Sequence, residues 1–177
     1  MNTRHKMSTT RYGLILLFFA LISFLLIFLS AQAANLTFVS DTISTSRPGV
    51  GANHTIKFTL TNSVPASGKI IITPQVGSFI IPTELGVNDI DLLINGTNRT
   101  LANVAGSGST SAMGVSITSG TGGKITFILN NTDVITVGSV VTVKIGTNAT
   151  FGVTGSQQIK NPISVGSYRI AVETQNV

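Results

Sequence analysis

The chain contains 177 residues, of which 42% are hydrophobic and only 10% charged, and its formal net charge is +5. Its length and composition fit one globular domain. Arg4, Lys6 and Arg11 precede the first apolar stretch, and the rest of the chain has eight basic and six acidic residues. A net charge of +2 spread along the rest is not the clustered basic surface that nucleic-acid binding needs, so nucleic acid is excluded as a partner.

The N-terminal residues follow the pattern of a secretory signal peptide. A basic start is followed by an apolar stretch over residues 14–29 and by small residues at Ala31 and Ala33. Signal peptidase reads small residues at these two positions, so we predict a hydrophobic signal helix at 1–33 that is cleaved after Ala33. The alternative is an uncleaved membrane anchor, because residues 14–29 approach the roughly 18 to 20 residues that span a bilayer. Only this stretch would then contact a membrane.

Cysteine is absent from the chain. An exported domain of this length buries enough surface to fold without disulfides, whereas exported eukaryotic domains usually contain them. The composition therefore favours an exported prokaryotic protein of the extracellular space or the cell surface.

From Leu36 onward apolar and polar residues alternate in twos, which is the period of a half-buried β-strand. Each alternating run places apolar side chains on one face and polar side chains on the other, as in a two-sheet sandwich. The alternation is found at residues 55–60, 89–94, 115–117, 125–129, 141–145 and 168–173.

Turn residues separate these runs, and no capped amphipathic helix follows the signal segment. We therefore predict a single all-β domain at 34–177, built as a sandwich of about seven to nine strands. Phe58, Phe127 and Tyr168 fall on the apolar faces of their strands and are expected in the core.

The segment LLINGTNRTL, residues 93 to 102, has several interpretations. Asn95-Gly96 between two strand-like runs predicts a β-hairpin, because both turn positions need a positive φ. As a loop contacting glycans, the segment would use Asn95, Asn98 and Arg99. Asn95 and Asn98 also begin N-x-T acceptor triplets, which we interpret as chance products of Thr- and Asn-rich strands. The other such triplets begin at Asn35, Asn53, Asn130 and Asn148.

His54 is the only histidine after the predicted cleavage site. A serine hydrolase would need it as a base, close to an acid and a serine, and no G-x-S-x-G segment accompanies it. We therefore expect a histidine at the surface or at a strand edge, and no catalytic residue and no enzymatic activity. No cofactor is expected.

Asp89 and Asp91 are the only close pair of acidic residues. Residues two apart on a strand share a face, so the pair is a weak candidate for calcium binding or for acid–base chemistry. We prefer to interpret both as residues of the solvent face, because Ile90, Leu92 and Ile94 occupy the other side.

Several fragments together resemble a known family. They are ANHTIKFTLTNSVPASGKIIITP, VNDIDLLINGTNRTL, GKITFIL, ITVGSVVTVKIGTNATFG and IKNPISVGSYRIAVETQN. Their order is similar to that of an Ig-like β-sandwich module of secreted and cell-surface prokaryotic proteins, over residues 36–174. The resemblance implies an Ig-like, Greek-key arrangement of strands. Its motifs are turns and strand patterns, which specify a fold and not a reaction.

These features predict a non-enzymatic exported surface module with a structural or adhesive role in the cell envelope or an extracellular assembly. The expected partners are other envelope or surface proteins, including further copies of the chain. One alternative is a carbohydrate-binding module of a larger secreted protein, which would bind a polysaccharide. The scarcity of aromatic residues argues against this alternative. A second is a filament subunit that donates residues 34–39 as a strand to its neighbour. We prefer to interpret that segment as the first strand of its own sandwich.

Overall fold

The computed structural model describes residues 36–108 and 111–176, and over these residues the fold is all-β. This part of the chain contains no α-helix, and one short 3-10 helix covers Val87–Asp89. The strands in chain order are β1 (Leu36–Ile43), β2 (Gly51–Ala52), β3 (His54–Leu60), β4 (Lys69–Pro74), β5 (Ile90–Ile94), β6 (Thr97–Arg99), β7 (Leu101–Ala102), β8 (Met113–Thr118), β9 (Lys124–Ile128), β10 (Val140–Ile145), β11 (Ile159–Lys160) and β12 (Ile170–Gln175).

The strands form two five-stranded sheets and one small two-stranded sheet. The first sheet has the order β1-β3-β10-β5-β6, the second has the order β12-β4-β9-β8-β7, and β2 pairs with β11. All pairs are antiparallel except β7 with β8. The twelve strands exceed the expected seven to nine because β2, β7 and β11 have only two residues each, too few for an alternating pattern.

Both five-stranded sheets contribute to one hydrophobic core. Alternate residues of β3, β9 and β10 are buried, because each strand turns one face inward. Phe58 and Phe127 are fully buried, as expected, whereas Tyr168 is only half-buried. One core shared by two sheets gives the fold the character of a β-sandwich. The core residues of the two sheets include Ile56, Phe58, Leu60, Ile70, Ile72, Leu92, Val115, Ile125, Phe127, Val141 and Val143.

Strand β4 shows why alternation alone misses some strands. Ile70, Ile71 and Ile72 are consecutive and all buried, so the apolar residues do not alternate. β4 lies between β12 and β9, and Ile71 is buried although it points to the face opposite to that of Ile70 and Ile72. A strand that is buried on both faces has a continuous apolar sequence.

The predicted hairpin of residues 93 to 102 is confirmed. Strands β5 and β6 pair with Ile94 opposite Thr97, so Asn95 and Gly96 form a two-residue turn. Their φ angles are 51° and 82°, both in the left-handed region that this type of turn requires. The Asn95 Oδ1 also accepts the backbone N–H of Val140 at 2.8 Å, which ties the turn to the start of β10.

The N-terminal expectations lie outside the described residues. These are the signal helix at 1–33, its cleavage after Ala33 and the alternative anchor at 14–29. Within residues 36–108 and 111–176, no helix is long and apolar enough to cross a membrane.

Candidate functional site

The described residues form a groove between two sheet edges. β1 is an edge strand of the first sheet and β12 is an edge strand of the second. Residues of both strands line a groove with a volume of about 810 Å³, which we call the edge groove. This volume lies within the range of roughly 300 to 1,000 Å³ of known ligand sites.

The walls of the edge groove are apolar. Val39 and Ile43 line it from β1, and Ile170 and Val172 line it from β12. Val39 is 52% exposed and Ile43 is 39% exposed, although both face the space between the sheets. The two edge strands therefore do not cover each other, and the groove remains open to solvent.

The end of β1 that precedes Val39 is distorted. The pairing of β1 with β3 shifts between Thr37 and Ser40, which identifies a β-bulge. Phe38 lies in this bulge with a φ of 52°, and its side chain is 86% exposed. A phenylalanine with a positive φ is rare, and strained residues of this kind concentrate at functional sites.

His54 lies at the base of the edge groove and pairs with Asp41. The Asp41 Oδ2 accepts a hydrogen bond from the His54 Nδ1 at 2.7 Å, which joins β1 to β3. His54 is fully buried, so the expectation of a surface or edge histidine is wrong. Residue His54 is opposite Ile43 and Ile145 in the sheet, and its side chain shares their inward face.

The His54–Asp41 pair has the acid and base of a hydrolytic triad, but no hydroxyl of the described residues is hydrogen-bonded to His54. The other ring nitrogen of His54, Nε2, is buried and has no hydrogen-bond partner in the described part of the chain. A triad requires a hydroxyl within hydrogen-bond reach of that atom. The hydrogen bond of this pair links β1 to β3.

Two aromatic rings extend from His54 along the groove. The rings of His54 and Phe79 are 6.1 Å apart and edge to face, and those of Phe79 and Tyr168 are 6.0 Å apart in the same arrangement. The Tyr168 hydroxyl donates to the backbone carbonyl of Ser164 at 2.8 Å. Edge-to-face contacts between aromatic rings are favourable, so these rings stabilise the base of the groove.

Two arginines are among the residues of the edge groove. Arg47 follows β1, and Arg169 immediately precedes β12. Neither arginine forms a salt bridge among the described residues. Among the described residues that line the groove, Asp41 is the only acidic one, and its carboxylate is hydrogen-bonded to His54.

The two segments that contain these arginines are fastened to each other. The Asn161 side chain is buried and donates to the carbonyls of Thr45 at 2.8 Å and Arg47 at 3.1 Å. The Gly49 N–H donates to the carbonyl of Pro162 at 3.0 Å. The segment after β1 and the segment before β12 are thus joined where the two strands leave the groove.

Asp89 and Asp91 are buried, so the expectation that both lie on the solvent face is wrong. They are only 5% and 4% exposed, because residues 146–157 fold over them. Asp89 accepts the backbone N–H groups of Gly86, Ser156 and Gln157 at 2.6–2.9 Å. Burial would raise the pKa of Asp89, but these backbone donors outweigh burial and hold its pKa below the ordinary value.

Asp91 has a similar structural role. Its carboxylate accepts the backbone N–H of Thr150 at 2.8 Å and that of Phe151 at 3.2 Å. Carboxylates that are occupied by backbone donors have fewer lone pairs left for a cation. Within the described residues, no group of three or more His, Asp or Glu side chains is close enough to hold a metal ion. Both aspartates therefore hold the loop that consists of residues 146–157 in place.

The three residues of the expected glycan-contact loop are not brought together as one free surface. The Asn95 side chain is hydrogen-bonded to the backbone of Val140 at the start of β10, and Arg99 forms a salt bridge with Asp133. Asn98 is exposed on β6, and no hydrogen bond of its side chain is found within the described residues. Two of the three side chains therefore serve the fold, and only Asn98 is free to contact a ligand.

Comparison of the chain with protein-family models and with curated proteins finds no match.

The edge groove was not predicted as a site from the sequence. Its residues come from both ends of the domain, and nothing in the local sequence indicates that Val39 and Val172 face the same space. One signal was present: Phe38-Val39 interrupts the polar and apolar alternation at the start of β1. Asp41 is a second signal, because it lies on the inward face of a strand, where a carboxylate needs a polar partner.

Proposed function

We propose that the chain is a non-enzymatic, exported surface module with a structural or adhesive role in the cell envelope or an extracellular assembly. In this role the edge groove holds an extended segment of a partner protein. We further infer that the two sheets form an Ig-like, Greek-key sandwich, in line with the family resemblance of residues 36–174. The predicted signal peptide supports export to the place where such partners are found.

The observation that carries the proposal is the open apolar groove between two free strand edges. In residues 36–108 and 111–176, no further strand pairs with the outer edge of β1 or of β12. A partner segment in extended conformation would find unpaired backbone groups at these edges and apolar walls between them. Exposed apolar surface framed by polar residues is typical of protein-interaction sites.

The dimensions of the groove fit a short strand. Val39 and Ile43 are four residues apart on β1, which corresponds to about 13 Å of strand. A bound segment of about five residues would span this distance and direct alternate side chains into the groove. The bulge at Phe38 interrupts the edge beyond it, which limits further pairing along β1.

The alternative of strand donation by residues 34–39 receives no support from the pairing of β1. Leu36 and Thr37 pair with Leu60 and Thr59 of β3 in the same chain. The start of β1 therefore belongs to its own sheet, and the proposal treats the groove as the receiving partner.

The test is peptide selection on the purified exported chain. Pooled libraries of random peptides are selected against the natural chain and against two variants, Val39→Lys and Val137→Lys. Val39 lines the groove, whereas Val137 is similarly exposed, at 60%, and does not line it. We expect selected peptides to bind the natural chain and Val137→Lys but to lose binding to Val39→Lys. Equal binding to all three, or no selected peptide at all, would refute the groove as the site of function.

A further inference from the structure

Strand β12 has a free outer edge. It pairs with β4 on one side, and no other strand in the described part of the chain pairs with it. The carbonyl of Arg169, just before β12, accepts the N–H of Gln75 at 2.8 Å, so it points toward the β4 side. This direction alternates along an antiparallel strand. The N–H and C=O groups of Ile170, Val172 and Thr174 therefore point to the free edge, where they are available to another strand.

The two faces of β12 differ in character. Ile170 and Val172 face the core and are half-buried against it. Arg169 and Glu173 alternate with them on the solvent face, where both are exposed. Neither of these charged side chains forms a salt bridge within the described residues. Ala171 lies midway between them, so the solvent face has a basic and an acidic side chain at equal distances from one residue.

These charges select one register for a second copy of the strand. When two copies of β12 pair antiparallel about a two-fold axis at Ala171, Ile170 of each lies opposite Val172 of the other, and their outward backbone groups bond. Arg169 of each copy then lies opposite Glu173 of the other. Opposite residues point to the same face, so apolar side chains meet on the core side and two ion pairs form on the solvent side. A register shifted by two residues leaves all four charges without an opposite partner.

We propose that the outer edge of β12 is a self-association surface, at which two copies of the chain pair β12 with β12 antiparallel about Ala171. The two five-stranded sheets that contain β12 then form one continuous sheet. This inference goes beyond the proposed function, because the edge of β1 stays free to pair with an extended segment of another protein. The two-fold axis is perpendicular to the sheet, so both edge grooves lie on the same side and the dimer is bivalent.

Size-exclusion chromatography with light scattering on residues 34–177, the predicted mature chain, tests the assembly. One pair of short strands forms a small and weak interface, so the concentration is raised to about 1 mM. We expect a monomer that converts to a dimer and to no larger species, because the pairing uses the β12 edge of both copies. A monomer at every concentration, or assemblies that grow beyond the dimer, would overturn the inference.

Charge reversals test the register. Arg169→Glu places like charges opposite each other twice in a dimer, and so does Glu173→Arg. Each variant alone should dimerise at least about tenfold more weakly than the natural chain. A mixture of the two variants should restore dimers that contain one copy of each, because every basic side chain again meets an acidic one. A mixture that stays monomeric would contradict the register.

Lys124→Glu is the matched control for Arg169→Glu, because it changes the net charge equally at an exposed position of β9 in the same sheet. It should dimerise as the natural chain does. A control that is weakened as much as Arg169→Glu would show that net charge governs association, and the proposed pairing would be wrong.

Hydrogen exchange, measured by NMR at low and high concentration, distinguishes strand pairing from contacts between side chains alone. The amides of Ile170 and Val172 point to the free edge, so they should exchange more slowly in the dimer than in the monomer. Those of Ala171 and Glu173 point to β4 in both states and should change much less. Outward amides that exchange equally fast in both states would overturn pairing through β12.

Discussion

The His54–Asp41 pair links the outermost strand of the first sheet to the core. Asp41 lies on β1, where most side chains are exposed, and His54 lies fully buried at the start of β3. The hydrogen bond between them ties the inward face of β1 to the buried start of β3. A buried imidazole without its partner is costly, which gives the pair a direct effect on stability.

We expect His54→Ala to lower the free energy of unfolding by about 2–4 kcal/mol, because it leaves a cavity and an unpaired carboxylate. Urea unfolding of residues 34–177 measures this change. Lys57→Ala, on the exposed face of the same strand, is the control and should change the stability by less than about 0.5 kcal/mol. If both variants unfold alike, the pair does not hold β1.

Asp89 gives the domain a stability that depends on pH. Its pKa is held below the ordinary value of about 3.9, because three backbone N–H groups favour the charged form despite burial. A carboxyl whose pKa is lower in the folded state stabilises the fold above the pKa of the unfolded chain. That contribution is lost as the pH falls from about 4 through the lower pKa of the folded state.

Asp89→Asn should therefore lower the free energy of unfolding by about 1.5–3 kcal/mol at pH 7, as expected for lost hydrogen bonds to a charged group. The difference from the natural chain should shrink below about pH 4, where the natural carboxyl also becomes neutral. Urea unfolding at a series of pH values measures both effects. Glu173→Gln, on an exposed position of β12, is the control, and a constant difference at all pH values would contradict this role of Asp89.

At the scale of single elements, the hairpin of β5 and β6 depends on two left-handed residues. A Cβ at Gly96 would meet no atom within 4 Å, so only the backbone conformation limits the residue there. We expect Gly96→Ala to destabilise the domain by about 1–2 kcal/mol, because its φ is 82°. Gly122→Ala is a matched control at a turn with an ordinary φ and open space. Equal melting temperatures for the two variants would contradict the requirement for a left-handed residue.

The β-bulge of β1 combines a strained backbone conformation with an exposed side chain. Phe38 combines a positive φ with an almost fully exposed aromatic ring, so the fold gains little from its side chain. We expect Phe38→Gly to leave stability unchanged or to raise it by up to about 1 kcal/mol. Phe58→Gly should unfold the domain, because that ring is fully buried. A large loss of stability in Phe38→Gly would mean that the ring packs against the fold.

The elements that were predicted from the sequence are those with local signals. The alternation at 55–60 and 141–145 found β3 and β10, and Asn95-Gly96 located the hairpin, because each pattern involves neighbouring residues. The burial of Asp89 and Asp91 was not predictable from their own strand. It results from residues 146–157, which lie more than fifty positions later and donate their backbone N–H groups.

The same limit applies to the candidate site at the scale of the whole molecule. β1 and β12 stand near opposite ends of the domain sequence and never pair, yet their residues line one groove. Their juxtaposition follows from the order of strands in two separate sheets, which a period of two residues does not encode. The sequence therefore predicted the character of the fold, whereas the groove required the structure.

The proposed function requires export, because a groove for a surface partner is useful only outside the cytoplasm. We expect the chain to begin at Ala34 when it is produced in a secreting bacterial host, since Ala31 and Ala33 have the small side chains that signal peptidase reads. Intact-mass measurement of the secreted protein tests this. Ala33→Tyr should block cleavage and keep the chain with the membrane fraction, whereas Ala34→Tyr should be cleaved normally. A natural chain that retains residues 14–29 at the membrane would instead support the uncleaved anchor, and the groove would then serve partners at the cell surface itself.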